Sequence, residues 1–143
     1  MINKKLMSTN FLYDHAVLTV EQMYKVDTGC IERGIQERHL MKEAGTAVAK
    51  IAINKWPKAQ FSVLCGTGNN GGDGFVAASY LKSIGADVEV FLLDRTNNLK
   101  TAANREASEW SKLSGSSTRK LSDIPKNHKL DNKIALKNFR ENK

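Results

Sequence analysis

A run of nine residues containing five glycines constrains the fold of this chain more than any other feature. The run is Gly66-Thr67-Gly68-Asn69-Asn70-Gly71-Gly72-Asp73-Gly74, and it directly follows the short apolar segment Phe61–Cys65. A short apolar segment that ends in glycines fits a buried strand better than a helix. Glycine allows positive φ in the turn out of a strand and lets the backbone approach a ligand closely. We therefore expect a strand, a glycine-rich loop and then a helix that begins near Asp73.

The residues after this loop predict a βαβ unit. The helix is expected to continue to Ile84, with Gly85 as its C-terminal cap, because glycine readily takes the left-handed conformation that ends helices. Residues 88–93 are again apolar and predict a second buried strand. Strands joined through a helix are parallel, and the crossover is right-handed. A further helix is expected over residues 99–113, with Leu99, Ala103, Trp110 and Leu113 turned inward.

Two helices are expected before the first strand. Thr19-Val20-Glu21-Gln22 has the capping-box pattern, and it predicts a helix over residues 20–33 that Gly34 ends. A second helix is expected over residues 36–56. Its inward face is predicted from four residues spaced four apart, Leu40, Ala44, Val48 and Ala52.

The length of 143 residues indicates about one domain. We divide it into an N-terminal extension at residues 1–16, an α/β domain at 17–118 and a basic tail at 119–143, which we expect to be disordered. The tail holds 8 basic and 3 acidic residues, so it carries +5 of the net charge of +7. A lysine-rich terminus of this kind is more often a solvated end than a specific nucleic-acid arm.

The rest of the composition indicates a cytoplasmic protein. No run of 18 or more apolar residues is present, so the sequence predicts no membrane span. The apolar stretch near the N-terminus is broken by Asp14 and His15 before it could form a signal-peptide core. The two cysteines, Cys30 and Cys65, are too few for a disulfide framework and favour a reducing compartment.

The glycine-rich run also has the features of a nucleotide-binding site. Its spacing Gly66-x-Gly68-x-x-Gly71 matches the dinucleotide fingerprint, and Asp94 follows the second strand, where a ribose-binding acid is expected. Such a turn can arise for geometric reasons alone. The adjacent amides Asn69 and Asn70 and the carboxylate of Asp73 are poor core residues, however, and they favour binding.

The same run resembles the signature of the NAD(P)HX epimerases, also called YjeF N-terminal domains. The resemblance covers about residues 17–93 and includes two upstream stretches, Leu18-Thr19-Val20-Glu21-Gln22-Met23 and Leu40-Met41-Lys42-Glu43-Ala44-Gly45. It implies a Rossmann-like three-layer α/β/α sandwich with a parallel sheet, here truncated at its C-terminal side. Thr67, where the family often has proline, is a small departure.

The resemblance also implies a function. Members of the family interconvert the R and S epimers of hydrated NADH and NADPH, which is a cofactor-repair reaction. The residues that it implies for substrate contact are Asn69, Asn70, Gly71, Gly72 and Asp73. It further implies a bound potassium ion, to which Asn70 would supply an oxygen.

The family's catalytic segment has no counterpart in this chain. Members carry a stretch of the type Asp-Ala-Leu-Phe-Gly-Thr-Gly with the catalytic carboxylate, and we assign no catalytic residue here. Asp123-Ile124-Pro125 is similar to a later family motif, Asp-Ile-Pro-Ser-Gly, but Lys126 and Asn127 replace its last two residues, so Asp123 receives no role. We therefore expect impaired or absent epimerase activity.

Two other functions stay open from the sequence. The chain could be a non-catalytic nucleotide- or RNA-binding module in which the basic tail contacts phosphates. It could also be an ordinary NAD-dependent oxidoreductase that uses Asp94. A homodimer is a further possibility that the sequence does not settle.

Overall fold

The computed structural model describes residues 17–93, 99 and 101–123. The N-terminal extension at residues 1–16, Asp94 and the tail beyond residue 123 lie outside this range. The chain divides into two compact units, Met1–Glu37 and Arg38–Lys143, which are described separately. None of the described helices is long and apolar enough to cross a membrane.

The first unit contains helix α1, Val20–Glu32, which begins with the predicted capping box. The Thr19 hydroxyl accepts a hydrogen bond from the Gln22 N–H at 3.2 Å, and the Gln22 side chain accepts one from the Thr19 N–H at 2.8 Å. Gly34 follows the helix with a φ of 91°. Both predicted ends of this helix are therefore confirmed to within a residue, and α1 buries none of its residues.

The second unit has a parallel α/β architecture. Its elements are α2 (Glu37–Lys55, whose first residue precedes the unit boundary), β1 (Phe61–Cys65), α3 (Asn69–Ser83), β2 (Val88–Leu92), α4 (Thr101–Ser111), β3 (Thr118–Lys120) and a 3₁₀ turn (Leu121–Asp123). The sheet order is β1-β2-β3, and both pairs of neighbours are parallel. The predicted parallel α/β fold is confirmed, and Gly85 ends α3 with a φ of 83° as expected.

One face of the sheet forms the core with three helices. Phe61, Val63 and Cys65 of β1 alternate with residues that point to the opposite face, so they lie on one side of the sheet. They pack with their β2 neighbours and with α2, α3 and α4 in a single cluster of buried residues. Ala103 and Trp110 of α4 are fully buried, as the predicted inward face requires.

The inward face of α2 is shifted by one position from the prediction at three of its four residues, and only Ala52 was predicted correctly. The buried positions are Met41, Gly45, Ala49 and Ala52, whereas Ala44 is exposed. The prediction followed the apolar side chains Leu40 and Val48, which are only half-buried. At Gly45 this face carries no side chain, because α3 lies very close to α2 there.

A third strand, β3, includes the first two residues of the tail that we expected to be disordered. Phe91 and Leu92 of β2 pair with Arg119 and Lys120 of β3. The Arg119 guanidinium lies 5.2 Å from the centre of the Phe91 ring, and its Nη1 lies 3.4 Å from Glu89 Oε1. The strand crosses the boundary that we placed between residues 118 and 119, so the start of the basic tail belongs to the sheet.

Candidate functional site

The candidate site lies at the carboxyl end of β1. Only Gly66, Thr67 and Gly68 separate the last residue of this strand from the first residue of α3. In open parallel sheets, ligands bind outside the carboxyl ends of the strands. The position of the glycine-rich run in the fold is therefore that of a ligand-binding segment.

Helix α3 begins four residues earlier than expected, at Asn69 instead of near Asp73. The N–H groups of Gly71 and Gly72 donate to the carbonyl of Gly68 at 3.0 and 3.2 Å, which closes the first helical turn at once. Candidate residues 69–73 thus form the start of the helix and not a loop. A helical start fixes their spacing more firmly than a loop would.

Three glycines of the run, Gly71, Gly72 and Gly74, are required by close packing and not by positive φ. Among the described glycines, positive φ occurs only at Gly34, Gly85 and Gly115. A Cβ atom on Gly71 would collide with the carbonyl oxygen of Gly66 and lie 2.6 Å from its carbonyl carbon. A Cβ on Gly74 would lie 2.8 Å from Cys65 Sγ. The start of α3 is therefore pressed against the strand that precedes it.

The start of α3 has the electrostatics of an anion site. Its N-cap is Gly68, with a φ of −93°, which has no side chain to cap the helix. The first N–H groups of a helix lack intrahelical partners, and the helix dipole adds partial positive charge at this end. The side chains of Asn69 and Asn70 are exposed, and Asp73 is half-buried. The turn can bind a phosphate through N–H groups and offer amide and carboxylate oxygens to hydroxyl groups nearby.

Of the two acidic residues considered in the sequence, one lies outside the described residues, and the other makes its side-chain hydrogen bonds beside β3. Asp94 lies outside the described residues, so its predicted ribose contact stays a prediction. Asp123 accepts hydrogen bonds from the backbone N–H of Lys120 at 3.0 Å and from the Ser122 hydroxyl at 3.2 Å. These local bonds give Asp123 a structural role at the end of β3.

Sequence reasoning missed a buried carboxylate, Glu106 of α4, which is only 4% exposed. Arg38 of α2 donates to it from Nε at 2.8 Å. The spacing of Glu106 could have indicated its burial, because it stands three residues after Ala103 and four before Trp110 on the inward face of the helix. Glu106 lines an open groove of about 320 Å³ between α2, α3 and α4, and no residue of the run at 66–74 lines it.

Cys65, at the end of β1, has the chemistry of a core residue. It is fully buried, and burial raises the pKa of its thiol from 9.0 to about 12. The folded protein thus keeps the thiol neutral, while the unfolded chain can ionise it. The contribution of this thiol to stability is complete below about pH 9 and is lost as the pH rises toward 12.

We expect a thiol reagent at pH 8 to modify Cys30 in the native protein and Cys65 only after unfolding. Cys30 is half-buried, whereas Cys65 is enclosed and protonated. Counting modified thiols with and without guanidinium chloride checks this, and Cys30→Ser should leave no fast-reacting thiol. Equal rates for both thiols in the native protein would contradict the burial of Cys65.

The parallel sheet with a glycine-rich helix start at its carboxyl edge defines a Rossmann-like α/β protein. Comparison with known families agrees. The family model described as YjeF-related protein N-terminus matches residues 37–137, and the chain belongs to this family. The matched range extends beyond residue 118, at which we predicted that the domain ends.

Individual relatives support the same assignment. The chain is 38% identical over 86 residues to the bifunctional NAD(P)H-hydrate repair enzyme Nnr of Methanopyrus kandleri, covering 60% of this chain and 17% of that protein. It is 35% identical over 96 residues to the NAD(P)H-hydrate epimerase of Nitrosopumilus maritimus, covering 65% and 43%. The chain therefore spans less than half the length of these relatives.

A solved structure shows the same fold. The crystal structure of the yeast protein Ynu0 superposes with a TM-score of 0.65 at 23% identity, covering 73% of this chain and 47% of that one. At this identity the likeness concerns the fold alone.

Proposed function

We propose that this chain is an NAD(P)H-hydrate epimerase domain that binds the hydrated dinucleotide at the start of α3. The observation that carries the proposal is the helix start at the carboxyl edge of the sheet, which has a glycine as its N-cap and two exposed asparagines in its first turn. The names of the two relatives support the proposal that the substrate is a hydrated nicotinamide dinucleotide.

Each candidate residue has a part in this proposal. The backbone N–H groups at the start of the helix bind the diphosphate, which needs donors and positive potential. The side chains of Asn69, Asn70 and Asp73 bind hydroxyl and amide groups of the substrate. Gly71 and Gly72 contribute by the absence of a side chain, which keeps the helix start close to β1 and α2.

The described residues supply only part of a potassium site. Asn70 offers one exposed amide oxygen, and the described part of the chain contains no group of three or more His, Cys, Asp or Glu side chains that could hold a metal ion. A hard cation takes about six or more oxygen ligands. We therefore keep Asn70 as a proposed ligand and derive no reaction step through the ion.

We expect this 143-residue chain to bind NADPH hydrate weakly and to turn it over at most in traces. In the family that this chain resembles, the general acid/base lies in a segment that has no counterpart among these 143 residues, and such a group contributes about 10²–10⁴-fold to the rate. Calorimetric titration with NADPH hydrate and an epimerisation assay on the same preparation measure both quantities. A turnover like that of an intact epimerase would contradict the missing acid/base.

Single substitutions test whether NADPH hydrate binds at the start of α3. Asn70→Ala should weaken binding by about 5- to 30-fold, because one or two hydrogen bonds of about 1 kcal/mol each are lost. Asn54→Ala is the matched control, since Asn54 is also exposed but lies in the last turn of α2. Equal affinities of the two variants would place the ligand elsewhere.

The same experiments separate the alternative of an RNA-binding module. Binding of single-stranded RNA that weakens steeply with salt, together with no affinity for the dinucleotide, would favour that module.

We further propose a cytoplasmic location, supported by two cysteines that are both unpaired. A homodimer is part of the same proposal, supported by the exposed apolar side chains of α1, among them Val20 and Tyr24.

A further inference from the structure

Helix α2 contacts the start of α3 at two consecutive candidate residues. A Cβ atom on Gly72 would lie 2.5 Å from Met41 Sδ and 2.7 Å from Met41 Cε. A Cβ on Gly45 would lie 2.5 Å from the carbonyl oxygen of Asp73 and 2.7 Å from Val76 Cβ. The two helices therefore interlock through two glycines, one on each helix, directly at the proposed binding turn.

The contacts at Gly72 and at Gly45 differ in whether the neighbouring atoms can move away from an added side chain. Met41 meets Gly72 with the end of a flexible side chain, which can rotate away. Gly45 meets the backbone of Asp73, and a carbonyl oxygen within a helix has no such freedom. The distance between α2 and the binding turn is thus set at Gly45.

We propose that Gly45 is a positioning residue for the dinucleotide site, because its missing side chain lets α2 hold the first turn of α3 at the separation that binding requires. This inference rests on the proposed function. It concerns a residue 21 positions before the glycine-rich run begins, and one that offers the substrate no side chain.

The distances around Gly45 determine how far an added methyl group would move the helices, and so how much binding it should cost. Ordinary contacts between non-bonded heavy atoms are about 3.5–4.0 Å. A methyl group 2.5 Å from the Asp73 oxygen must therefore push the helices apart by on the order of 1 Å. A displacement of about 1 Å at a site can cost roughly 10²-fold in function.

The test compares Gly45→Ala with a substitution that crowds the same face of α2 elsewhere. Ala52→Val adds volume at a buried position two turns further along, where Ala52 is 3% exposed. Both variants should lower Tm, but only Gly45→Ala should raise the Kd for NADPH hydrate, by about 10- to 100-fold. Gly29→Ala, where a Cβ meets nothing within 4 Å, is the control for a glycine replaced in open space.

A second pair of variants tests the interlocking independently of fold stability. Gly72→Ala should weaken binding, and Met41→Ala in the same chain should restore much of it, because it removes the two atoms that would lie within 3 Å of the new methyl group. Met41→Ala should not restore binding to Gly45→Ala, whose obstacle is backbone. If Met41→Ala restores binding to both Gly72→Ala and Gly45→Ala, or to neither of them, the positioning role of Gly45 is overturned.

Failure of the proposed function can be told apart from failure of this inference. If the unsubstituted chain binds no NADPH hydrate, the proposed function is wrong, and amide chemical shifts then decide the positioning role. Gly45→Ala should move the amide signals of Asn70 and Asp73, whereas Ala52→Val should leave them in place. The inference is overturned if the two variants change the Kd, or these signals, to the same extent.

Discussion

Replacing Gly71 by alanine should destabilise the protein by about 3 kcal/mol or more, one of the two largest effects that we expect from a single substitution. The new Cβ would collide with the carbonyl oxygen of Gly66, and the neighbouring carbonyl carbon would lie 2.6 Å away. Both atoms belong to the backbone that joins β1 to α3, so no side-chain rotation relieves the clash. Either the strand end or the helix start must move.

Guanidinium denaturation followed by circular dichroism measures this effect, and a loss of about 3 kcal/mol should lower Tm by roughly 10 °C for a domain of this size. Gly29→Ala is the matched control, because a Cβ at this position, in the last turn of α1, has open space. Alanine there should be neutral or stabilising, since it favours the helix. A Gly71→Ala protein as stable as the control would show that the start of α3 is not packed against Gly66.

The second large effect is expected at Trp110, where substitution by alanine should cost about 3–5 kcal/mol. Trp110 is the largest of the fully buried side chains, and it packs in the core cluster together with β1, β2 and α3. Its indole N–H also donates to the carbonyl of Ser117 at 3.3 Å, directly before β3. Alanine would leave a cavity and an unpaired carbonyl.

Trp56→Ala provides the comparison within the same chain. Trp56 follows α2 and is 37% exposed, so its loss should cost far less. Denaturant unfolding of both variants gives the two free energies. Hydrogen exchange adds a local readout, because Trp110→Ala should also speed exchange in β3. Similar losses for the two tryptophans would contradict the burial of Trp110.

The parts of the fold that were predictable are those set by local sequence. The structure confirms the capping box at Thr19, the glycines that end α1 and α3, and strands β1 and β2, all of which depend on neighbouring residues. Strand β3 was missed because its three residues, Thr-Arg-Lys, have no apolar alternation. It pairs with β2 through backbone bonds, and Arg119 contacts Phe91 and Glu89, which lie about thirty positions earlier in the chain.

The candidate site was predictable in its residues but not in its geometry. The position of the glycine-rich run after a strand indicated the carboxyl edge of a sheet, and the run lies there. The sequence could not show that the helix begins at Asn69, because glycine disfavours helices in general. Neither could it show that Gly45 and Gly71 are required by backbone atoms brought close only by folding.

The packing of these glycines has a consequence for how the family diverges. Side chains that only touch a substrate are released from selection when the substrate is no longer used, and they drift. Gly71, Gly72 and Gly74 face Gly66, Met41 and Cys65 whether or not a dinucleotide is bound. A descendant that has lost the reaction would thus retain the glycine pattern for as long as it folds. Asn69 and Asn70, which are exposed, would be the first to change. The asparagines, more than the glycines, therefore record whether a lineage still binds its ligand.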